Sequence, residues 1–250
     1  MAQPLLSRSP VRFQARINLP AGLNLLYWAS AESGDPRFRQ IAMLHADTVM
    51  EHFIRSDGSV CHIVEFDPES GKMLGSLGGQ GYGEGSSWTR GQGWALYGFA
   101  CSYANTGKAA YLEAAERVAR YCLANIPESG IIPVDFRQPG DAAWEDSCGA
   151  CIIAGGFLEL AKHVRESAGE EYRGCAVRIL KAIADTRADW SEGCDAIVQN
   201  CSAAWHDSRH HFTMVYADYF LIEALYRLAG TDVGMWLAGE AGAVGAAREG

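Results

Sequence analysis

The sequence predicts a mostly α-helical toroid assembled from helical hairpins. Apolar residues recur at helical spacing in seven long stretches. Stretches that are apolar nearly all round alternate with stretches that carry a charged face, as inner and outer helices of a ring would. No motif recurs at a fixed short period, which disfavours tetratricopeptide and ankyrin arrays. A closed ring of this kind normally has six hairpins; about four are countable here, so the toroid is expected to be incomplete.

The elements follow in chain order. The opening "MAQPLLSRSPVRFQAR" carries Arg8, Arg12 and Arg16, and no acid precedes Glu32. Pro4 and Pro10 break any amphipathic helix, so residues 1–16 are expected to be a disordered lead-in, with an organelle transit peptide as the alternative. The domain then runs over 17–250. Its helices are placed in "LNLLYWASA", "DPRFRQIAMLHADTVMEHFI", "SSWTRGQGWALYGFACSYANTG", "AAYLEAAERVARYCLANI", "EDSCGACIIAGGFLELAKHV", "EEYRGCAVRILKAIADTRADW" and "FTMVYADYFLIEALYRLAG". Asp35 before Pro36 reads as an N-cap with proline at the first helical position, and Gly107 and Gly169 read as turns between consecutive helices. The stretch from Trp88 to Tyr103 is apolar nearly all round, whereas Ala109 to Asn125 carries the charged face "ERVAR". Strand-like text is confined to pieces such as "HIVEFD" and "IIPVDF".

Composition bounds the function. Acidic residues outnumber basic ones, 30 against 21, and the net charge of -9 disfavours nucleic acid and anionic lipid as partners. No run of about 18 apolar residues and no secretory h-region is visible, so neither membrane contact nor secretion by that route is expected. The eight cysteines lie singly along apolar helical stretches, as buried free thiols do in the cytoplasm. Cys148 and Cys151 form a lone C-x-x-C with neither the second pair that zinc wants nor the preceding strand of a redox site, so structural burial is expected.

"GGQGYGEGSSWTRGQGW" is the densest stretch. It does not satisfy G-x-G-x-x-G, no strand of a βαβ unit precedes it, and no P-loop lysine follows, so phosphate binding is disfavoured. A plain connector would explain the glycines but not Gln80, Tyr82, Trp88, Arg90, Gln92 and Trp94 beside them. With a helix starting near Ser86 or Ser87, Arg90 and Trp94 share one face. An aromatic platform beside a guanidinium that forks onto a carboxylate suits an acidic sugar. The alternative is an Arg90 satisfied internally by Glu84 or Asp146, with tryptophans that fill the core.

The run "HIVEFDPESG…QGYGEGSSWTRGQGWALYGFA", with "NLLYWAS" before it and "WEDSCGACIIAGGFLEL" and "RHHFTMVYADYFLIEALYRL" after it, resembles the unsaturated glucuronyl hydrolases, glycoside hydrolase family 88, with the rhamnogalacturonyl hydrolases as relatives. The likeness runs from Ile17 to about Ala229 and is strongest in W-x-R-G-Q-x-W. It implies an (α/α)6 barrel and removal of an unsaturated uronate from the non-reducing end of an oligosaccharide. The implied chemistry is hydration: a carboxylic acid protonates C4 of the C4=C5 bond, water adds at C5, and the hemiketal opens to release the aglycone. By that resemblance His62, Gln80, Trp88, Arg90 and Trp94 line the sugar pocket, and neither metal nor cofactor is required. Without it His62 reads equally well as an ordinary loop histidine.

The chain departs from the family at the proton donor. The family's aspartate stands ten residues before the tryptophan of "NLLYWAS", a position that is Asn18 here, and an amide is no general acid. A second family aspartate belongs to a segment upstream of the similarity. Glu84, Asp135, Glu145 and Asp146 are the candidates for a replacement acid; each also reads as a cap or rim charge, with Asp146 opening a helix. His206, Arg209, His210 and His211 cluster with Asp207 and read as structural rather than metal-binding, and Asp218 and Tyr219 as supports of a pocket wall. Two functions remain: a hydrolase of unsaturated glucuronyl oligosaccharides, or a catalytically inactive remnant that binds acidic sugars or serves as a partner subunit. An incomplete ring leaves apolar helix faces bare, so self-association is expected.

Overall fold

Helices joined by short turns pair as hairpins, and the inner helix of each hairpin packs on the inner helix of the next. The computed structural model describes residues 12–17 and 20–231. Among these lie α1 (Pro20–Ser33), α2 (Pro36–His52), α3 (Thr89–Thr106), α4 (Ala109–Asn125), α5 (Ser147–Leu160), α6 (Glu166–Thr186) and α7 (Val215–Leu228). The inner helices α1, α3, α5 and α7 pack each on the next, while α2, α4 and α6 lie against α1, α3 and α5 as outer partners.

The position of α5 explains its composition. Flanked by α3 and α7 and backed by α6, it is buried at every residue from Ser147 to Leu160. A Cβ on Gly156 would fall 2.8 Å from the Leu96 side chain, and one on Gly93 3.0 Å from Ile152, so glycine sets the α3–α5 spacing. Cys148 and Cys151 are part of this packing, and burial pushes both thiols well up. Between α3, α5 and α7 a buried polar cluster joins the Tyr97 hydroxyl to Glu223 at 2.8 Å and Arg227 to Glu159 at 3.2 Å.

Turn chemistry is as expected at two of three sites. Asp35 caps α2 by accepting from the Arg37 N–H, and Gly107 closes α3 in the left-handed region at φ 69°. Gly169 instead lies inside α6, because the turn is made by residues 161–165. A Cβ there would stand 2.9 Å from the Ala161 carbonyl, so its glycine serves close packing.

The sheet corrects two further expectations. β1 (Phe13–Arg16), β2 (Ile63–Phe66) and β3 (Met73–Leu77) form one antiparallel sheet in the order β1-β2-β3. The end of the expected lead-in is therefore a strand, with Arg12 and Gln14 anchored on Glu65. Meanwhile "IIPVDF" forms isolated bridges only, Pro133 to Glu145 and Asp135 to Trp88, since Pro133 lacks a ladder N–H. Asn18 lies outside the described residues.

The last helix of the series has a bare face. Ala217, Phe220, Leu221 and Ala224 of α7 are buried, while Val215, Tyr219, Ile222 and Tyr226 form the opposite stripe and are exposed, Val215 to 84%. At the other end, Leu25 and Trp28 of α1 are exposed as well.

Candidate functional site

Three loops meet at the N-terminal ends of α3, α5 and α7. Segment 131–136 is laced to the start of α3: Thr89 donates from its N–H to the Val134 carbonyl and from its hydroxyl to the Pro133 carbonyl, and the Phe136 N–H donates to the Ser87 carbonyl. The Trp205 N–H donates to the Gln80 carbonyl, and the Gln80 amide returns a bond to the Ala203 carbonyl at 2.7 Å. Gln80 thus ties the glycine-rich loop to segment 203–205.

That loop is tightly folded rather than a loose connector. Gly79 adopts φ 60°, and a Cβ there would fall 1.8 Å from His62 Nδ1. A Cβ on Gly81 would strike the Asp135 carboxylate at 2.6 Å. Asp135 is fully buried and accepts from the N–H groups of Tyr82, Ser87 and Arg137. The glycines let the backbone close onto a histidine and a carboxylate, which no larger residue permits.

His62 and Trp88 meet in this floor, with ring centroids 4.6 Å apart at 61°. Burial, aided by the charge of Arg16, lowers the His62 pKa to about 4, so the ring is neutral near pH 7. Its Nδ1 accepts from the Gln80 N–H at 2.9 Å, which puts the proton on Nε2. Both His62 Nε2 and Trp88 Nε1 are buried without a hydrogen-bond partner, as is Trp205 Nε1. Each is an N–H donor lacking an acceptor, at about 1–3 kcal/mol apiece.

Arg90 resolves the alternative left open by the sequence. Its Nε and Nη2 fork onto Asp146 at 2.9 and 2.8 Å, Nη2 also donates to the Ser202 carbonyl, and Nη1 donates to the Tyr216 hydroxyl at 2.7 Å. With Arg90 only 2% exposed, the fork that suited an external carboxylate is spent internally on Asp146. Asp146 meanwhile caps α5 by accepting from the Gly149 N–H. Trp94, one turn along α3, is half-buried against Phe220 at 5.3 Å, and its ring stands 6.5 Å from that of Tyr216. Tyr216 was given no role by the sequence; an aromatic at the start of a helix is too common to single out.

Three of the four candidate replacement acids have other engagements. Glu145 pairs with Arg187 at 2.6 Å and takes the Asn200 amide, Asp135 and Asp146 are bound as described, and Glu84 is exposed on the rim. Asp218 accepts from the N–H groups of Ile197 and Val198. The rings of Trp144 and His210 stack at 4.1 Å, and His206 bonds the Tyr82 carbonyl, which gives two of the clustered histidines places in the rim.

No protein-family model matches the chain. It is 36% identical over 226 residues to the unsaturated glucuronyl hydrolase of Bacillus sp. (strain GL1), covering 88% of this chain and 59% of that protein. With the unsaturated glucuronyl hydrolase of Formosa agariphila it shares 31% over 220 residues, 86% of this chain and 54% of the relative. The solved Bacillus sp. GL1 hydrolase superposes with a TM-score of 0.81 at 33% identity over 90% of this chain and 60% of its own. An unsaturated glucuronyl hydrolase specific for heparin gives 0.82 at 32% identity over 87% and 60%. The chain thus spans less than two thirds of the relatives it matches. Over that span, it belongs to the unsaturated glucuronyl hydrolase family.

Proposed function

We propose that this chain carries the sugar-recognising part of a glycoside hydrolase that removes the unsaturated glucuronyl residue from the non-reducing end of an oligosaccharide by hydration of its C4=C5 bond. One observation supports it beyond kinship: the buried, acceptor-less donors of His62 and Trp88, side by side in a floor that Gln80 and the glycine loop hold rigid. An oxygen-rich ligand supplies the acceptors they lack. Trp94, beside them on α3, offers an apolar platform, and Arg90 stiffens the wall. A family relative has been solved with dGlcA-Glc-Rha-Glc, and another, from Streptococcus agalactiae, with dGlcA-GalNAc6S; an unsaturated uronic-acid oligosaccharide is the substrate class we assign here.

The helical series is read as about four of the six hairpins of an (α/α)6 barrel. The exposed stripes on α7 and α1 support that reading and predict self-association. All eight cysteines are free thiols, which favours a cytoplasmic location. No helix among the described residues is long and apolar enough to cross a membrane.

A second reading, binding without turnover, is favoured by the engagement of Asp135, Glu145 and Asp146 in internal bonds together with the amide at Asn18. Loss of the ultraviolet absorbance of a conjugated uronate in an unsaturated disaccharide separates the two. Turnover by the unmodified chain sinks the binding-only reading. Activity that appears only in Asn18→Asp identifies the missing acid, whereas binding with no turnover by either chain overturns hydrolysis for this polypeptide.

A further inference from the structure

We infer that the carboxylate of a bound uronate is met by the hydroxyl of Tyr216, with Arg90 acting behind it as a positioning residue. This rests on the reading of the site as an acidic-sugar pocket and assigns, within it, the group that distinguishes an acid from a neutral sugar.

Burial, with four of its five N–H groups already spent, argues against Arg90 as the direct contact. Its Nε and Nη2 are taken by Asp146 and the Ser202 carbonyl, and Nη1 donates to Tyr216, inside a wall that leaves it 2% exposed. A carboxylate reaching the guanidinium would have to displace Asp146, a buried partner that is also the α5 cap. Tyr216, by contrast, is 37% exposed at the first turn of α7. Its oxygen accepts from Arg90, which leaves its own proton to donate. Burial, the largest influence, pushes the phenol up to about 12 against the opposing charge of Arg90, so the proton is retained at neutral pH. A hydroxyl that accepts from a cation is polarised into a stronger donor, and a carboxylate is the acceptor that gains most from it.

The surroundings fit the same ligand. The Arg90 guanidinium carbon lies 5.6 Å from the Tyr216 ring centroid and 5.4 Å from that of Trp88. The Trp94 ring stands 6.5 Å from that of Tyr216 and is inclined to it by 31°, an apolar surface beside the hydroxyl that would meet the charged edge of the sugar.

The test is equilibrium binding of an unsaturated glucuronyl disaccharide and of its methyl ester to the full chain and to Tyr216→Phe, which keeps the ring and its stacking. The expected result is that wild type prefers the acid, that Tyr216→Phe weakens acid binding on the order of ten- to a hundredfold, and that ester binding is unchanged. Ring-fluorinated tyrosine in the wild-type chain provides a readout that needs no variant: the Tyr216 resonance is expected to shift with the acid and not with the ester. If wild type prefers the acid and Tyr216→Phe keeps that preference undiminished, the assignment is overturned and the sugar pocket stands. If wild type binds neither compound, the pocket reading falls and this assignment with it.

Discussion

Replacing Asp146 with asparagine isolates the charge that holds the mouth together. Asparagine caps a helix about as well as aspartate, so the Gly149 bond that starts α5 survives. What goes is the negative charge, and one of the two oxygens facing Arg90 becomes an amide aimed at a donor. Arg90, at 2% exposure, then carries an uncompensated charge. Breaking a buried pair from one side costs about 3–5 kcal/mol, most of it the desolvation of the partner left behind. At a urea slope of about 2–3 kcal/mol/M, the midpoint falls by roughly 1–2.5 M. Arg90→Met in the same background removes the stranded charge, and the double variant is expected to recover to within about 1 kcal/mol of wild type. Urea unfolding followed by tryptophan fluorescence measures all four corners of the cycle. A loss below about 1 kcal/mol in Asp146→Asn, or two losses that simply add in the double variant, refutes the claim that the pair acts as a unit.

Two pH windows and one backbone effect follow. The His62 pKa is lowered in the fold from 6.5 to about 4, so its contribution is complete above pH 6.5 and is lost as the pH falls to about 4, at most about 3 kcal/mol; His62→Gln is expected to flatten the stability curve there. Glu159, held at about 2 by His163, Arg227 and Lys162 against the upward push of burial, contributes fully above its ordinary 4.5. Its share, about 3 kcal/mol, is lost as the pH falls through about 2, and Glu159→Gln removes that lower window from an acid titration followed by circular dichroism. Gly79→Ala places a Cβ on His62 Nδ1 at a left-handed φ; the loop is expected to lift, and the His62 resonance in a nuclear magnetic resonance titration to move up from about 4 towards 6.5.

The helices were legible because their apolar periodicity is long and their punctuation local: the Asp35 cap and the Gly107 turn are each decided by a few residues. Strand β1 was not legible, since Phe13–Arg16 has no alternation of its own and is held by pairing with β2, about fifty positions away. Gly169 misled for a related reason. A glycine that makes a turn and a glycine that admits a neighbouring carbonyl look the same in one dimension, and only the Ala161 contact tells them apart. At the site, the sequence brought His62, Gln80, Trp88, Arg90 and Trp94 to one end of α3 but left open which carboxylate Arg90 would meet. The answer depended on segment 202–216 folding back over α3, which puts Ser202 and Tyr216 beside a residue more than a hundred positions earlier.

Internal partners sort the mouth into two kinds of residue. Arg90, Asp146, Asp135 and Glu145 have their hydrogen-bonding capacity spent on one another, on backbone groups or on Arg187, so the fold alone accounts for them. Of these, Asp135 holds the glycine-rich loop through the Tyr82 and Ser87 N–H groups, and all four would stand unchanged in a protein that bound nothing. His62 Nε2 and Trp88 Nε1 are different: each is a buried donor without an acceptor among the described residues, at a cost that stability alone gives no reason to bear. Unsatisfied donors of that kind are relieved by a ligand that brings oxygen atoms. In the proposed site, recognition therefore falls to two buried ring N–H groups and the Tyr216 phenol, while Arg90, the residue most suggestive of acid recognition in the sequence, is held by Asp146, Ser202 and Tyr216.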